Sequence, residues 1–139
     1  MCRPDLLRAV AGLARKVTKW TKLQDLQLHR LVAYLNSTLD KRQVGWVGDS
    51  KESLELHLYG DADLASEIED SISTSGVFLE VQGPDTRFPL TGQSKKQTAV
   101  SHSTPEAEIV AADHAIRTEG LPALQLWEIL LERKLAAIS

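Results

Sequence analysis

At Ser53 the spacing of the apolar residues changes, and that change constrains the fold more than any other feature of the chain. Leu54, Leu56 and Leu58 alternate with Glu55, His57 and Tyr59, the two-residue period of a half-buried strand. The strand closes at Gly60-Asp61-Ala62-Asp63. A second strand is expected over about 76–82, carrying Val77, Phe78, Leu79 and Val81. After the turn signal Gly83-Pro84-Asp85 a third is expected over 86–90, where Pro89 implies a short or edge strand. Upstream of Ser53 the spacing is helical. The segment from Asp5 to about Lys16 carries Leu6, Leu7, Val10, Ala11, Leu13 and Ala14, with Gly12 as its weak point. A second helix, from about Asp25 to Leu39, has one stripe of Leu28, Leu31, Val32, Leu35 and Leu39. Asp40-Lys41-Arg42 breaks that pattern, Val44 to Val47 reads as a short strand, and Gly48-Asp49-Ser50 as a turn. Downstream, Ser103 or Thr104 caps a helix with Pro105 at its first position, running to about Thr118. Gly120 and Pro122 punctuate it, and a final amphipathic helix is expected over about 123–137. Two helices, four strands and two helices fit an α+β architecture, an antiparallel sheet with helices on one face.

Length sets the scale. A chain of 139 residues is one domain, or one domain with an arm, and buries roughly two thirds of its unfolded surface. No stretch approaches the ~18 consecutive apolar residues of a membrane span. The first residues, Met1-Cys2-Arg3-Pro4-Asp5, lack the apolar run of a secretory signal. With one cysteine, Cys2, there is no disulfide framework and no thiolate zinc site. A reducing, cytoplasmic or nuclear setting is therefore expected rather than a secreted one. The net charge of −3 hides an uneven distribution. The first thirty residues hold Arg3, Arg8, Arg15, Lys16, Lys19, Lys22 and Arg30 against Asp5 and Asp25. Residues 49–70 hold Asp49, Glu52, Glu55, Asp61, Asp63, Glu67, Glu69 and Asp70 against Lys51. A basic arm suits a phosphate backbone and an acidic segment a divalent metal; two solvated faces of opposite sign explain the same pattern.

Three carboxylates could do chemistry. Strand alternation puts Asp61 and Asp63 on one side at the end of the first long strand. Glu108 shares a helical face with Ala111, Ala112 and Ala115. Small residues there let the helix sit close to the sheet and bring Glu108 towards Asp61. Facing carboxylates repel unless a cation joins them, and Mg²⁺ takes oxygen ligands. The plainer reading is that Asp61 and Asp63 form a turn and that Glu108 answers the helix dipole.

Short motifs carry the reading further. Leu58-Tyr59-Gly60-Asp61-Ala62-Asp63-Leu64-Ala65 resembles the Y-S-D-A-D-W-A element of the ribonuclease H region in copia-type retrotransposon Pol polyproteins. In the same order, Ser73 to Phe78 resembles R-S-T-S-G-Y-V-F, Ser94 to Val100 resembles S-K-K-Q-x-x-V, and Ser103 to Ala111 resembles S-S-T-E-A-E-Y-I-A. Upstream, Arg3-Pro4-Asp5 with Ala9-Val10 resembles R-P-D-I-x-x-A-V near the end of that family's reverse transcriptase. His29 to Thr38 resembles its K-R-I-L-R-Y-L-K-G-T. Six such elements in collinear order span about residues 3–132. Leu64, Ser66, Ile72 and Ile109 stand where the family has Trp, Gly, Arg and Tyr.

The resemblance implies a ribonuclease H-like fold with an antiparallel three- to four-stranded sheet, C-terminally truncated. Residues 1–42 would be a helical connection from the reverse transcriptase and 43–139 a partial ribonuclease H-like domain. It implies hydrolysis of the RNA strand of RNA–DNA hybrids with Mg²⁺, Mn²⁺ being an alternative. Asp61 and Glu108 would be the catalytic metal ligands, with Asp63 a further candidate at a motif position. Ser94, Lys95, Lys96 and Gln97 would contact the nucleic acid; as plain sequence, Ser-Lys-Lys-Gln is an exposed loop. The family continues with a strand ending in Asp-Asn and a helix bearing further ligands, whereas Asp113 is the last Asp of this sequence. An incomplete site, inactive alone, is the expectation. The implied partners are the hybrid and the reverse transcriptase of the same polyprotein, and the implied location is a cytoplasmic virus-like particle or the nucleus.

A reading from another class is a non-catalytic remnant that binds nucleic acid or a protein. The apolar final helix, with Leu124, Leu126, Trp127, Ile129, Leu130 and Leu131, is a candidate for self-association. His102, Glu106 and His114 match no zinc spacing well. Trp20, Trp46 and Trp127 are expected to pack in the core or between helices.

Overall fold

The computed structural model describes residues 3–64, 72–98 and 100–132. Cys2, the acidic residues Glu67, Glu69 and Asp70, Ala99 and the stretch 133–137 expected to end the last helix lie outside them. The chain divides into two compact units, Met1–Gln43 and Val44–Ser139.

The first unit is a helical hairpin of α1 (Leu7–Arg15), preceded by a 3-10 turn at Pro4–Leu6, and α2 (Lys22–Ser37). α2 starts three residues earlier than its apolar stripe implies. Thr21 and Gln24 form a capping box there, each side chain taking a backbone amide of the other's turn. Arg3 ties the ends together: it donates to both carboxylate oxygens of Asp5 at 3.0 and 2.8 Å and to the carbonyl and hydroxyl oxygens of Thr38. Tyr34 donates its hydroxyl to the same carboxylate at 2.9 Å. Leu28, Val32 and Leu39 of the α2 stripe are exposed, so polar contacts at the termini define this hairpin more than a core does.

The second unit is built on a three-stranded antiparallel meander, β1 (Glu55–Asp63), β2 (Thr74–Gly83) and β3 (Thr86–Lys96), in the order β1-β2-β3. Ser75, Val77, Leu79 and Val81 of the central strand are buried at every second position, which fixes its register. Leu56, Leu79 and Val81 form the core, with Leu54, Leu58, Ala123 and Trp127 packed against them. β3 runs six residues beyond the sequence expectation. Its second half, Thr91 to Lys96, is polar and carries no apolar alternation to reveal it. The register shift between Leu79 and Glu80 falls where Pro89 enters the ladder, and β3 is an edge strand, as a residue without an N–H requires.

The expected strand at Val44–Val47 is not one: a single bridge joins Trp46 to Arg87, through bonds of 2.7 and 2.9 Å. Beyond it the chain turns away, because Gly48 and Asp49 give their amides to the buried Thr86 hydroxyl and the Asp49 carboxylate takes the amide of Asp85. Trp46 is 67% exposed and Trp20 also exposed, so of the three tryptophans expected to pack, Trp127 alone joins the core.

α3 (Thr104–Ala115) is capped by the Ser103 hydroxyl, with Pro105 in the first turn. Gly120 and Pro122 do not break the helical path beyond it. A π-helical turn, Ile116–Gly120, leads straight into α4 (Leu121–Leu131), with Pro122 in its first turn.

Candidate carboxylate site at the edge of the sheet

Alternation along β1 decides where the candidate ligands point. Leu56 and Leu58 face the helices through the core, so Gly60 and Ala62 face them too. Glu55, His57, Tyr59, Asp61 and Asp63 face the opposite, open side. α3 comes close at Gly60. A Cβ placed on it would lie 3.4 Å from the Cβ of Ala115 and 3.5 Å from the carbonyl oxygen of Ala111. Ala107, Ala111 and Ala115, four residues apart, make the buried stripe of α3. The face expected from sequence used Ala111, Ala112 and Ala115; Ala112 is instead exposed at its margin.

Helix geometry then places Glu108. His114 flanks the buried stripe on the β3 side, where its Nε2 lies 2.6 Å from Gln93 Oε1. Glu108, six residues earlier, flanks it on the other side, towards β1. β1 is an edge strand. The half-buried Glu108 on α3 and the exposed Asp61 on β1 therefore lie on opposite sides of the sheet, on the β1 side of the described residues. Asp63 lies two residues further on, on the face of Asp61. Among the described residues no group of three or more His, Cys, Asp or Glu side chains is close enough to hold a metal ion. Carboxylates such as Asp61 and Glu108 are the oxygen donors that a hard cation of the Mg²⁺ or Mn²⁺ type takes. His102 and His114 join no such group: Glu106 accepts the backbone amide of His102, and His114 pairs with Gln93.

The Ser-Lys-Lys-Gln stretch divides between the faces. Ser94 and Lys96 stand in the cross-strand rows of Asp61 and Asp63, through Gly76 and Thr74, and share their open face. Lys95 points to the helix side and is exposed. Gln97 is turned inwards and buried, with its amide bonded to Ser75, Ala107 and Ser101. That is a packing role rather than a surface contact. Sequence reasoning also missed an array on the open face, where Gln82 donates to Tyr59 and Glu80 and accepts from Arg87, beside the stacked His57 and Tyr59 rings. Its alternating polar residues carried the signal, but nothing in them named each partner.

Two retrovirus-related Pol polyproteins of Arabidopsis thaliana, from transposons RE2 and RE1, are 35% and 33% identical to the chain over 106 residues. Those residues are 76% of this chain and 7% of each polyprotein. Secreted RxLR effector protein 161 of Plasmopara viticola is 32% identical over 113 residues, 81% of this chain and 75% of that protein. The two polyprotein matches support a retrotransposon Pol region as what this stretch of chain is similar to. It spans about 7% of the length of the two polyproteins. No family model and no solved structure matches it. In this chain the D-A-D element ends β1, the S-K-K-Q element spans the end of β3, and the E-A-E element lies in the first turns of α3. Three motifs far apart in sequence thus lie at one end of the sheet. No described helix is long and apolar enough to cross a membrane.

Proposed function

We propose that the chain is the ribonuclease H-like portion of a retrotransposon Pol polyprotein, and that Asp61 and Glu108 are its metal-ligating carboxylates. The observation that supports this is the approach of α3, the helix of Glu108, to Gly60 beside Asp61 on β1. When bound there, Mg²⁺ or Mn²⁺ would orient water and stabilise the charge that develops on a phosphodiester. The substrate is the RNA strand of an RNA–DNA hybrid, recognised by shape and 2′-hydroxyls. Ser94 and Lys96 supply a hydroxyl and a cation on the face of Asp61, Lys95 adds an exposed cation nearby, and Asp63 extends the acidic edge. The partner is the reverse transcriptase of the same polyprotein, and the setting is the particle or nucleus where hybrids form.

The test uses a hybrid labelled on its RNA strand, with Mg²⁺ or Mn²⁺. The chain is assayed alone and mixed with the Pol segment that lies downstream of the matched stretch in the Arabidopsis relatives. Cleavage in the mixture, abolished by Asp61→Asn and by Glu108→Gln, is the expected result. Equal cleavage by chain and variants contradicts the assignment.

A second reading, binding without cleavage, is favoured by the lack of a three-ligand cluster among the described residues. It predicts hybrid affinity that falls steeply with salt and is indifferent to Asp61→Asn.

A further inference from the structure

We propose that Gln97 is a positioning residue, holding the peptide group that carries Glu108 at a fixed place over the strand that carries Asp61. The proposal rests on the reading of those two carboxylates as metal ligands.

Gln97 directly follows β3 and is 7% exposed. Its backbone amide donates to the carbonyl of Ser73 at 2.8 Å. Its side-chain nitrogen has two N–H groups, and each has an acceptor: Ser75 Oγ on β2 at 3.0 Å and the carbonyl oxygen of Ala107 on α3 at 2.9 Å. Its side-chain oxygen accepts the Ser101 hydroxyl at 3.0 Å. Ser73, Ser75, Ser101 and Ala107 are all buried. A buried amide with every polar atom paired resists displacement, because moving it strands several polar atoms at once.

The two ends of this bridge explain its purpose. The carbonyl of Ala107 belongs to the planar peptide that ends at the Cα of Glu108, so gripping that oxygen fixes Glu108 in height and azimuth. Ser75 adjoins Gly76, the cross-strand partner of Asp61. A continuous path of covalent bonds, ladder pairing and two side-chain hydrogen bonds therefore runs from one carboxylate to the other. The alanine stripe cannot do this alone. Ala107, Ala111 and Ala115 let α3 approach, but methyl groups on a smooth surface allow a helix to slide or roll.

The experiment is a Mn²⁺ titration of the full chain, read by the electron paramagnetic resonance of free aqueous Mn²⁺. Gln97→Met keeps the length of the side chain and removes its polar bonds. With the chain folded by circular dichroism, it should weaken Mn²⁺ binding by about tenfold or more, the usual effect of removing a group that orients a ligand. Ser75→Ala, which removes one anchor, should act in the same direction. Leu79→Ala, which weakens the same sheet away from the bridge, should lower the melting temperature and leave Mn²⁺ affinity unchanged. Wild-type affinity in folded Gln97→Met, or equal weakening by Leu79→Ala, overturns the proposal. If Gln97→Met does not fold, Ser75→Ala decides, and wild-type affinity there overturns it. Wild-type binding indifferent to Asp61→Asn and Glu108→Gln overturns the ligand reading itself, and the role of Gln97 with it.

Discussion

Arg3 holds the Asp5 carboxyl well below the usual carboxylate range, first through the two hydrogen bonds it donates, then with the help of the Tyr34 hydroxyl and its own charge. A carboxyl with a depressed folded-state pKa stabilises the fold fully above its unfolded value, ~3.9, and loses that contribution as pH falls towards the folded value. Asp5→Asn should therefore weaken the helical hairpin at neutral pH, and its difference from wild type should shrink below about pH 4. Helix content followed by circular dichroism across pH checks this; a difference that does not change with pH contradicts it. Gly60 makes a second residue-scale prediction. Its Cβ position lies in ordinary contact with Ala115, so Gly60→Ala should be nearly neutral, whereas Gly60→Leu must lift α3 and should cost about 1–3 kcal/mol in urea unfolding. Asp61 and Glu108 stand out in the sequence as candidates because a carboxylate in a motif announces itself. Gln97 could not: its type and its place beside two lysines suggest a surface, and only the fold turns it inwards.

Elements were legible where burial leaves a period. β2 buries alternate side chains, β1 carries alternating leucines of which Leu56 is buried, and α3 announces itself by Ser103 and Pro105, so each was expected within a few residues. The second half of β3 was not. Thr91 to Lys96 is held in the ladder by backbone bonds to β2, and a polar edge leaves no apolar trace. The bridge at Trp46 failed as a strand for the converse reason: its apolar residues matched the pattern, but the turn built on Thr86 and Asp49 took the chain elsewhere. The junction of α3 and α4 misled through Gly120 and Pro122, whose usual meaning is a break. The close approach of α3 to β1 depends on small side chains. Ala111→Leu should destabilise the chain by about 1–3 kcal/mol through overpacking. Leu79→Ala, at the centre of the sheet, should cost about 2–5 kcal/mol through the cavity it leaves. Denaturant midpoints measure both, and an Ala111→Leu chain as stable as wild type contradicts this packing.

For the whole molecule, the two units differ in how they are held. Among its described residues the first buries only Gln24, while the second buries Leu56, Val77, Leu79, Val81 and the alanine stripe of α3. Protection from hydrogen exchange tracks buried, hydrogen-bonded structure. The amides of β2 from Val77 to Gln82 should therefore exchange slowest and those of α2 much faster; comparable protection contradicts this division. The proposed function requires Asp61 and Glu108 to share one divalent cation near the end of β1. Its most direct test is Mn²⁺-induced broadening of backbone amide resonances in the isotope-labelled chain. Broadening centred on residues 60–62 and 107–112, removed by Glu108→Gln, is the predicted result. Broadening centred on other carboxylates, such as Glu55 or Asp49, or unchanged by Glu108→Gln, would contradict it.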